Sequence, residues 1–547
     1  MGLAHSHYSQ GPLSIWHGPQ IPRCFATLET PRGYAVAAGE LIWQKDQLQE
    51  QGQAELPRLL QCLLENRPQE LAQANGTFAA LAWDAASSRL WLVADSLGGR
   101  PLYFAEAAGT LYFSTILDVL LRIPAIPGTL DFDAFIEKEA LYCPLGDRTL
   151  RREIRVLRDS EYLRWSPGHV ERERYFDWSR IEFQSLTLEQ AAEHCAAALA
   201  AAVADRAPRP GEEARVILSG GLDSRCVAAL LHELGVPLRA ATLRIPGTQD
   251  YHYAWRFADL IGSELVEAPY EIDPAPFLTG IDVIKLLSSA ARPFLPGRVF
   301  SGDGGGETFG LLLLNPKFIS YLAQGNTEAA LREYAAKHPV NARIFRGPWS
   351  RAARNRPLLA LREALAEYSH MPPEKAMHLF VLTSDLRRHL HDFFDIAPRI
   401  GCDLVTPFYD RRVLMSVLRL APPLAPFLQH RLYHEVVKLM PEPCARVPWQ
   451  TYPGKLPCPV PDDGPALKTQ WDWQRELRPV ISRRFAREMG RDLLRWRAPA
   501  SYLNLPVLAA AWVLHTLRCG NYAHLFRLAL ALTDEVHYPR APRRDRP

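Results

Sequence analysis

Six residues, Ser219-Gly220-Gly221-Leu222-Asp223-Ser224, follow the apolar run Val216-Ile217-Leu218 and lead into an apolar helical pattern that begins at Cys226. A strand, a Ser-Gly-Gly turn and a helix in that order present unhindered backbone N–H groups at a helix N-terminus, where unpaired donors and a partial positive charge bind phosphate. The paired glycines allow close approach, and Ser219 and Ser224 add hydroxyl donors. Asp223 repels an anion, so its place in the loop makes chemical sense when Mg2+ stands between carboxylate and phosphate. An ordinary glycine-rich turn with an N-terminal aspartate accounts for a bare Ser-Gly-Gly, but poorly for all six residues after an apolar strand. By the same count of useful groups, only nine of the 63 cationic residues are lysines, which makes each lysine near such a loop informative.

The elements that must hold this loop are legible around it. Residues 186–207, rich in Ala, Leu and Glu with Thr187 as N-cap, predict a helix, and 214–218 predict the strand that feeds the loop. Further β-like runs at 238–245 and 298–301 alternate with helical ones at 253–261 and 276–290, the pattern of an α/β domain with a parallel sheet. Residues 21–120 instead show short alternating runs, such as 76–84 and 89–95, and predict an antiparallel first domain. The charged stretch 147–178, with the turn Ser166-Pro167-Gly168-His169, reads as the domain boundary. From about residue 320 the chain is mainly helical, with many Arg and Pro residues, and 522–532 reads as a helix packed on the second domain.

At 547 residues the chain is long enough for two to four domains. Its 48% apolar and 22% charged residues exclude extensive disorder and fibrous repeats. A net charge of +3 gives no bulk attraction to nucleic acid or anionic lipid. Nine scattered cysteines without a CxxC spacing predict neither a disulfide framework nor a metal site. The first 20 residues hold no basic start and no apolar run, which predicts no secretory signal, and the longest apolar stretches, such as 505–517, are too short to span a bilayer. The expected setting is a reducing cytoplasm, without membrane insertion or nucleic acid. Trp471, Trp473 and Trp496 read as core or interface aromatics, and the arginines after residue 320 as a solvated helix surface.

The stretch from Val216 to Ser224 resembles the pyrophosphate loop of the N-type ATP pyrophosphatases, and three further matches select the asparagine synthetase family among them. Residues 76–84 and 89–103, including Asp95-Ser96-Leu97-Gly98-Gly99-Arg100-Pro101-Leu102-Tyr103, are similar to the later part of its amidotransferase domain. Val299-Phe300-Ser301-Gly302-Asp303-Gly304-Gly305-Gly306-Glu307 resembles its second glycine-rich loop, and Thr406-Pro407-Phe408-Tyr409-Asp410 a segment of its synthetase domain. The resemblance implies an α+β, amidotransferase-like (Ntn-type) β-sandwich domain over 1–180. It implies an α/β adenine-nucleotide alpha-hydrolase-like synthetase domain, with a parallel sheet and a helical C-terminal part, over 181–547. It further implies ATP and Mg2+ as cofactors, with Leu218, Ser219, Gly220, Gly221, Leu222, Asp223, Ser224, Leu243 and Gly302 around the nucleotide.

Departures from the pattern narrow the activity. Glutamine-using members place a cysteine nucleophile directly after Met1, where this chain has Gly2, and of their substrate-binding strings only Gly39-Glu40 survives. Glutamine hydrolysis is not expected. In the second loop the family's metal-binding aspartate aligns with Gly306, so Asp303 or Glu307 becomes the expected second Mg2+ ligand beside Asp223. The position of the family's catalytic lysine falls near Trp449, and Lys455 is the expected substitute, with Asp223 the other catalytic residue.

Loss of the ammonia source points to relatives in which a substrate amine attacks an acyl-adenylate, such as β-lactam synthetases and lasso peptide cyclases. Thr248-Gln249-Asp250-Tyr251-His252-Tyr253-Ala254 and the run 446–455 resemble segments of the peptide-modifying relatives. The implied activity is an ATP-dependent macrocyclase that joins an Asp or Glu side chain of a precursor peptide to its N-terminal amine. A leader-peptide-binding protein and a leader protease are implied as partners. A β-lactam synthetase-like or ammonia-fed ligase, and an inactive scaffold homologue, are the alternatives.

Overall fold

The computed structural model describes residues 6–17, 25–43, 55–269, 289–337, 339–462, 464 and 466–538. Most of the expected helix at 276–290 lies outside them. In the first domain a six-stranded antiparallel sheet runs in the order His169–Arg174, Glu161–Ser166, Arg89–Ala94, Phe78–Asp84, Gly33–Gly39, Phe25–Thr30. Alternation of period two separates its faces. Ala35, Phe78, Ala80, Trp91 and Val93 pack under the helix Glu55–Leu64. Tyr34, Leu81, Trp83 and Leu92 pack against Leu13 and Ile15 of a hairpin and Leu102, Phe104 and Leu157 around a three-stranded sheet. The expected boundary at 147–178 is corrected: its charged residues build two strands of the large sheet, one of them at its edge. The opposite charges sit on neighbouring strands, where Arg164 pairs with Glu171 and Arg172 with Glu161.

The second domain holds a five-stranded, all-parallel sheet in the order Glu264–Pro269, Leu238–Arg244, Ala214–Ile217, Gly297–Phe300, Cys402–Val405. The chain builds outward from Ala214–Ile217 in one direction, then crosses back to lay Gly297–Phe300 on its other side. Such a reversal opens a crevice at the carboxyl ends of the two adjacent strands, where ligands of open α/β sheets bind. Helix Leu188–Arg206 starts in a capping box of Thr187 and Gln190 and buries Ala191, Cys195, Leu199 and Val203 in the main core. The helix Ala523–His537 packs in a second core with Phe132, Phe135 and Ile136, so it bridges to the end of the first domain's chain as well as to the second domain.

The two domains are joined by buried charge. Arg206, the last residue of its helix, donates through Nε to Glu40 (2.8 Å) and through Nη1 to Asp410 (2.7 Å), all three being buried. Arg298 also pairs with Glu40, and Arg100 with Asp403. Against the effect of burial, Arg206 and Arg412 hold the Asp410 carboxyl well below the usual range. Removing one member of such a network leaves an uncompensated charge in a low dielectric. Glu40→Gln is therefore expected to cost about 3 kcal/mol in denaturant unfolding, whereas Glu65→Gln, which breaks an exposed pair with Arg67, leaves the midpoint unchanged.

Candidate active site

The crevice brings the two glycine-rich loops together. After Ile217 the chain turns through Ser219 and Gly220 into the helix Leu222–Glu233, whose N-cap, Gly221, contributes no side chain. The turn closes on itself: Ser224 Oγ accepts from Ser219 N (3.0 Å), and Ser219 Oγ from Gly221 N (3.2 Å). Gly302 abuts the loop so closely that a Cβ there would lie 2.1 Å from Ser224 N. A Cβ on Gly305 would meet the Asp223 carboxyl at 2.6 Å. Glycine at these positions is thus required by the approach of one loop to the other.

Asp223 is held at both oxygens, by Tyr433 Oη–H on Oδ1 (2.7 Å) and by the Gly306 N–H on Oδ2 (3.1 Å). Desolvation is the main cause that raises its carboxyl, to about 6, and Asp303 adds to it, against those two hydrogen bonds. Asp303 in turn accepts from Tyr409 Oη–H (2.8 Å), and Gly304, at φ 92°, makes room for the Tyr409 ring. A desolvated carboxylate with a second one beside it suits a divalent cation, and Mg2+ shared with phosphates needs only one or two of them. Asp223 and Asp303 are the pair that fits. Glu307 bears on Tyr452, whose phenol is pushed up by burial, Glu307, Asp223, Asp250 and Asp303. Among the described residues no three His, Cys, Asp or Glu side chains are grouped to chelate a metal, so Asp223, Asp303 and Glu307 do not form a three-carboxylate cage.

The remaining expected residues fall around this centre. Leu218 donates its N–H to Ala241 O (2.8 Å) in the sheet, and Leu243 lies near the carboxyl end of the adjoining strand. Lys455 closes a turn on Tyr452 O (3.1 Å), and its charge helps to push the neighbouring His430 down to about 3, after burial. Burial, and then Lys337, lowers Lys455 itself. His430 lies against Tyr452, with ring centroids 5.5 Å apart, and against Gly310, which links Lys455 to the second loop. Trp449 is buried in the main core.

Sequence reasoning missed Asp250, Tyr409, Tyr433, Gln450 and Tyr452. Asp250 accepts hydrogen bonds from Gly220 N–H and Gln450, and desolvation raises it to about 6. Gln450 N–H donates to Gly220 O (3.1 Å). These contacts exist because Arg225, buried in the helix after the loop, donates to Val447 O and Pro448 O and pins that segment beneath it. Asp250, Tyr409, Gln450 and Tyr452 all lie in runs that the sequence marks as family-like, but nothing in the plain amphipathic helix Arg431–Lys438 distinguishes Tyr433. Trp471 is corrected from a packing aromatic to a neighbour of the site, its ring 5.1 Å from that of Tyr452. A cavity of about 440 Å³ elsewhere lies between the domains, and Arg148, Arg151, Arg155 and Arg158 in its wall are each paired with a carboxylate.

Two tests follow from this geometry. Gly302→Ala should abolish ATP-dependent turnover and destabilise by about 3 kcal/mol through overpacking. Gly306→Ala, whose Cβ meets nothing nearer than 3.7 Å, should fold normally. A raised aspartate is costly when ionised, and stability returns as pH falls through about 6 toward the ordinary aspartate value. Asp223→Asn should therefore melt above the parent at pH 8, by roughly 2 kcal/mol given its partial exposure. That advantage should fade below about pH 5, while ATP-dependent chemistry is lost at every pH.

Comparison with known proteins agrees with this arrangement. Residues 38–176 match the Glutamine amidotransferase domain family model, and residues 194–426 match that of Asparagine synthase. No curated protein matches the chain. Among solved structures, the U34-tRNA thiolase NcsA from Methanococcus maripaludis with its 4Fe-4S cluster is similar at 14% identity, over 35% of this chain and 80% of that one. Its TM-score is 0.19, too low to carry any argument. No described helix is long and apolar enough to cross a membrane. With an amidotransferase-type antiparallel domain followed by an Asparagine synthase domain whose two glycine-rich loops meet at the sheet's crevice, the chain is an ATP-dependent, asparagine synthetase-like ligase.

Proposed function

We propose that the ligase adenylates an Asp or Glu side chain of a precursor peptide and joins it to that peptide's own N-terminal amine, releasing AMP and pyrophosphate, as lasso peptide cyclases do. The observation that carries this reading is the fate of Glu40. The one acid left from the glutamine-binding strings is buried between Arg206 and Arg298 and serves the domain junction. An amidotransferase-type domain spent in this way supplies no ammonia, so the amine must arrive with the substrate.

In the first step a peptide carboxylate attacks the α-phosphorus of ATP and pyrophosphate leaves. The N–H groups at the start of Leu222–Glu233 would receive the departing phosphates, and Lys455, close enough to His430 to disfavour its charged form, would add a cation. Asp223 and Asp303 would hold Mg2+, which neutralises phosphate charge when bound. In the second step the amine displaces AMP. A prefolded peptide makes that step intramolecular, and tethering can contribute many kcal/mol. His430, neutral at physiological pH because burial and Lys455 disfavour its charged form, leaves the positive charge to Lys455. A leader-peptide-binding protein and a protease would deliver the trimmed peptide in a cytoplasmic setting.

A second reading, a β-lactam synthetase-like ligase for a small amino acid, is favoured by one feature. Tyr251 and Glu267 form a tyrosine–glutamate pair at the carboxyl end of the sheet, with Trp255 and Arg244 also on Glu267. Exchange of labelled pyrophosphate into ATP, measured with Mg2+ and either aspartate, small β-amino acids or a leader-processed peptide, separates the readings. Peptide-dependent exchange with a product lighter by one water is the expected result; exchange with a small acid alone supports the second reading, and silence with ATP bound leaves an inactive homologue. Lys455→Met should lower amide formation by about 100-fold or more with ATP affinity changed only a few fold.

A further inference from the structure

We propose that the outward face shared by the helices Gln470–Leu494 and Leu505–Thr516 docks on an anionic lipid surface. Three directions around the long helix are occupied differently. Leu477, Ile481, Phe485 and Met489 point into the second core. Ala486 and Gly490 meet the neighbouring helix, where Trp512 donates its indole N–H to Ala486 O (2.8 Å) and a Cβ on Gly490 would touch the Trp512 ring. Val480, Arg483, Arg487, Arg491 and Leu494 recur every three or four residues and form the exposed stripe. On the second helix Leu508 and Ala511 are buried, while Ala509, Ala510, Val513 and Leu517 look outward. The two helices that carry these stripes pack side by side.

The composition of this face is unusual for water. Residues 505–517 contain no charged side chain, and a helix apolar on every side is normally enclosed. Here Val513 is 47% exposed and Leu517 66%. At the opposite end Leu494 is 78% exposed and Trp496 84%, which corrects the expectation of a packed aromatic at that position. Trp496 is held there at φ 54°, in a region such residues seldom adopt. Between these apolar ends, Arg483, Arg487, Arg491 and Arg495 make no ion pair among the described residues, although the adjacent Arg484 pairs with Glu488. Residues 470–520 carry nine arginines against four acidic residues, an excess larger than the +3 of the whole chain. The near-neutral total thus conceals a local basic face.

Charge complementarity calls for an acidic counter-surface, and the apolar side chains at both ends call for one with an apolar interior. Anionic headgroups over acyl chains supply both: guanidinium groups engage phosphates while Trp and Leu enter the boundary layer. No described helix can cross a bilayer, so the association is peripheral.

Co-sedimentation of the full chain with vesicles tests this. Binding to phosphatidylcholine vesicles containing one-third phosphatidylglycerol, weak binding to pure phosphatidylcholine, and release by salt are expected. Arg483→Glu combined with Arg487→Glu and Arg491→Glu should weaken binding by about tenfold or more. Leu494→Ser with Trp496→Ser should weaken it several-fold and remove a blue shift of tryptophan emission on vesicle addition. Both variants should melt with the parent's midpoint and keep its pyrophosphate exchange without vesicles; the second alters only exposed side chains and remains informative if the first fails to fold. No sedimentation with anionic vesicles at low salt would overturn the proposal. So would binding that both variants leave intact, or binding that needs the arginines but is indifferent to Leu494 and Trp496, which would point to an acidic protein partner instead.

Discussion

Arg206 is the residue on which the assembly turns. It ends the helix that supports the parallel sheet, and its guanidinium is shared between Glu40 of the first domain and Asp410 of the second. Next to Asp410, Tyr409 reaches Asp303, so the same contact that locks the domains together also fixes one carboxylate of the site. A buried cation with two buried acids contributes little net stability over an apolar substitute, but loss of any one member is severe. That asymmetry makes the network a device for specifying one domain arrangement.

The site itself is an arrangement of repelling groups held by short-range geometry. Asp223, Asp250, Asp303 and Glu307 all bear on Tyr452, and desolvation raises Asp223 and Asp250, with repulsion from Asp303 adding to it at Asp223. Hydrogen bonds from Tyr433, Tyr409 and Gln450 keep these acids in place without neutralising them. Burial, and then repulsion from Lys337, lowers Lys455. Such a centre is preorganised for a ligand that brings both signs of charge, as a nucleotide with its cation does. Glycine is the enabling residue, since Gly302 and Gly305 allow the two loops to approach to distances no side chain would permit.

The two domains share one physical device. In the first, polar side chains are turned inward to satisfy backbone groups: Asp95 accepts from the N–H groups of Phe78, Leu97, Gly99 and Arg100, and Asn75 from those of Gly76 and Arg411. In the second, the same device shapes the loops at the sheet's crevice, where the N–H groups of Ser219, Gly220, Gly221 and Gly306 go to Ser224, Asp250, Ser219 and Asp223.

What the amino-acid order determined alone was local: the phosphate-type loop at 219–224, the helix capped by Thr187, the alternating strands of the first domain and the second loop at 302–307. Each is encoded within a dozen residues by periodicity, capping or glycine spacing, and short-range signals of that kind survive without knowledge of the fold. The tertiary structure decided the rest. Whether Glu40 served a substrate or a junction depended on Arg206, 166 positions away. Tyr433 entered the site only because its helix lies across from Asp223, and the charged segment 161–174 forms sheet where Glu161–Ser166 finds the apolar strand Arg89–Ala94 on one side and opposite charges on the other. The arginines of this region read as a solvated surface from the sequence, but Trp496 could be assigned to the surface only from its 84% exposure beside the packed Leu477, Phe485 and Met489. Burial and charge pairing are properties of contacts between distant residues, and sequence spacing does not carry them.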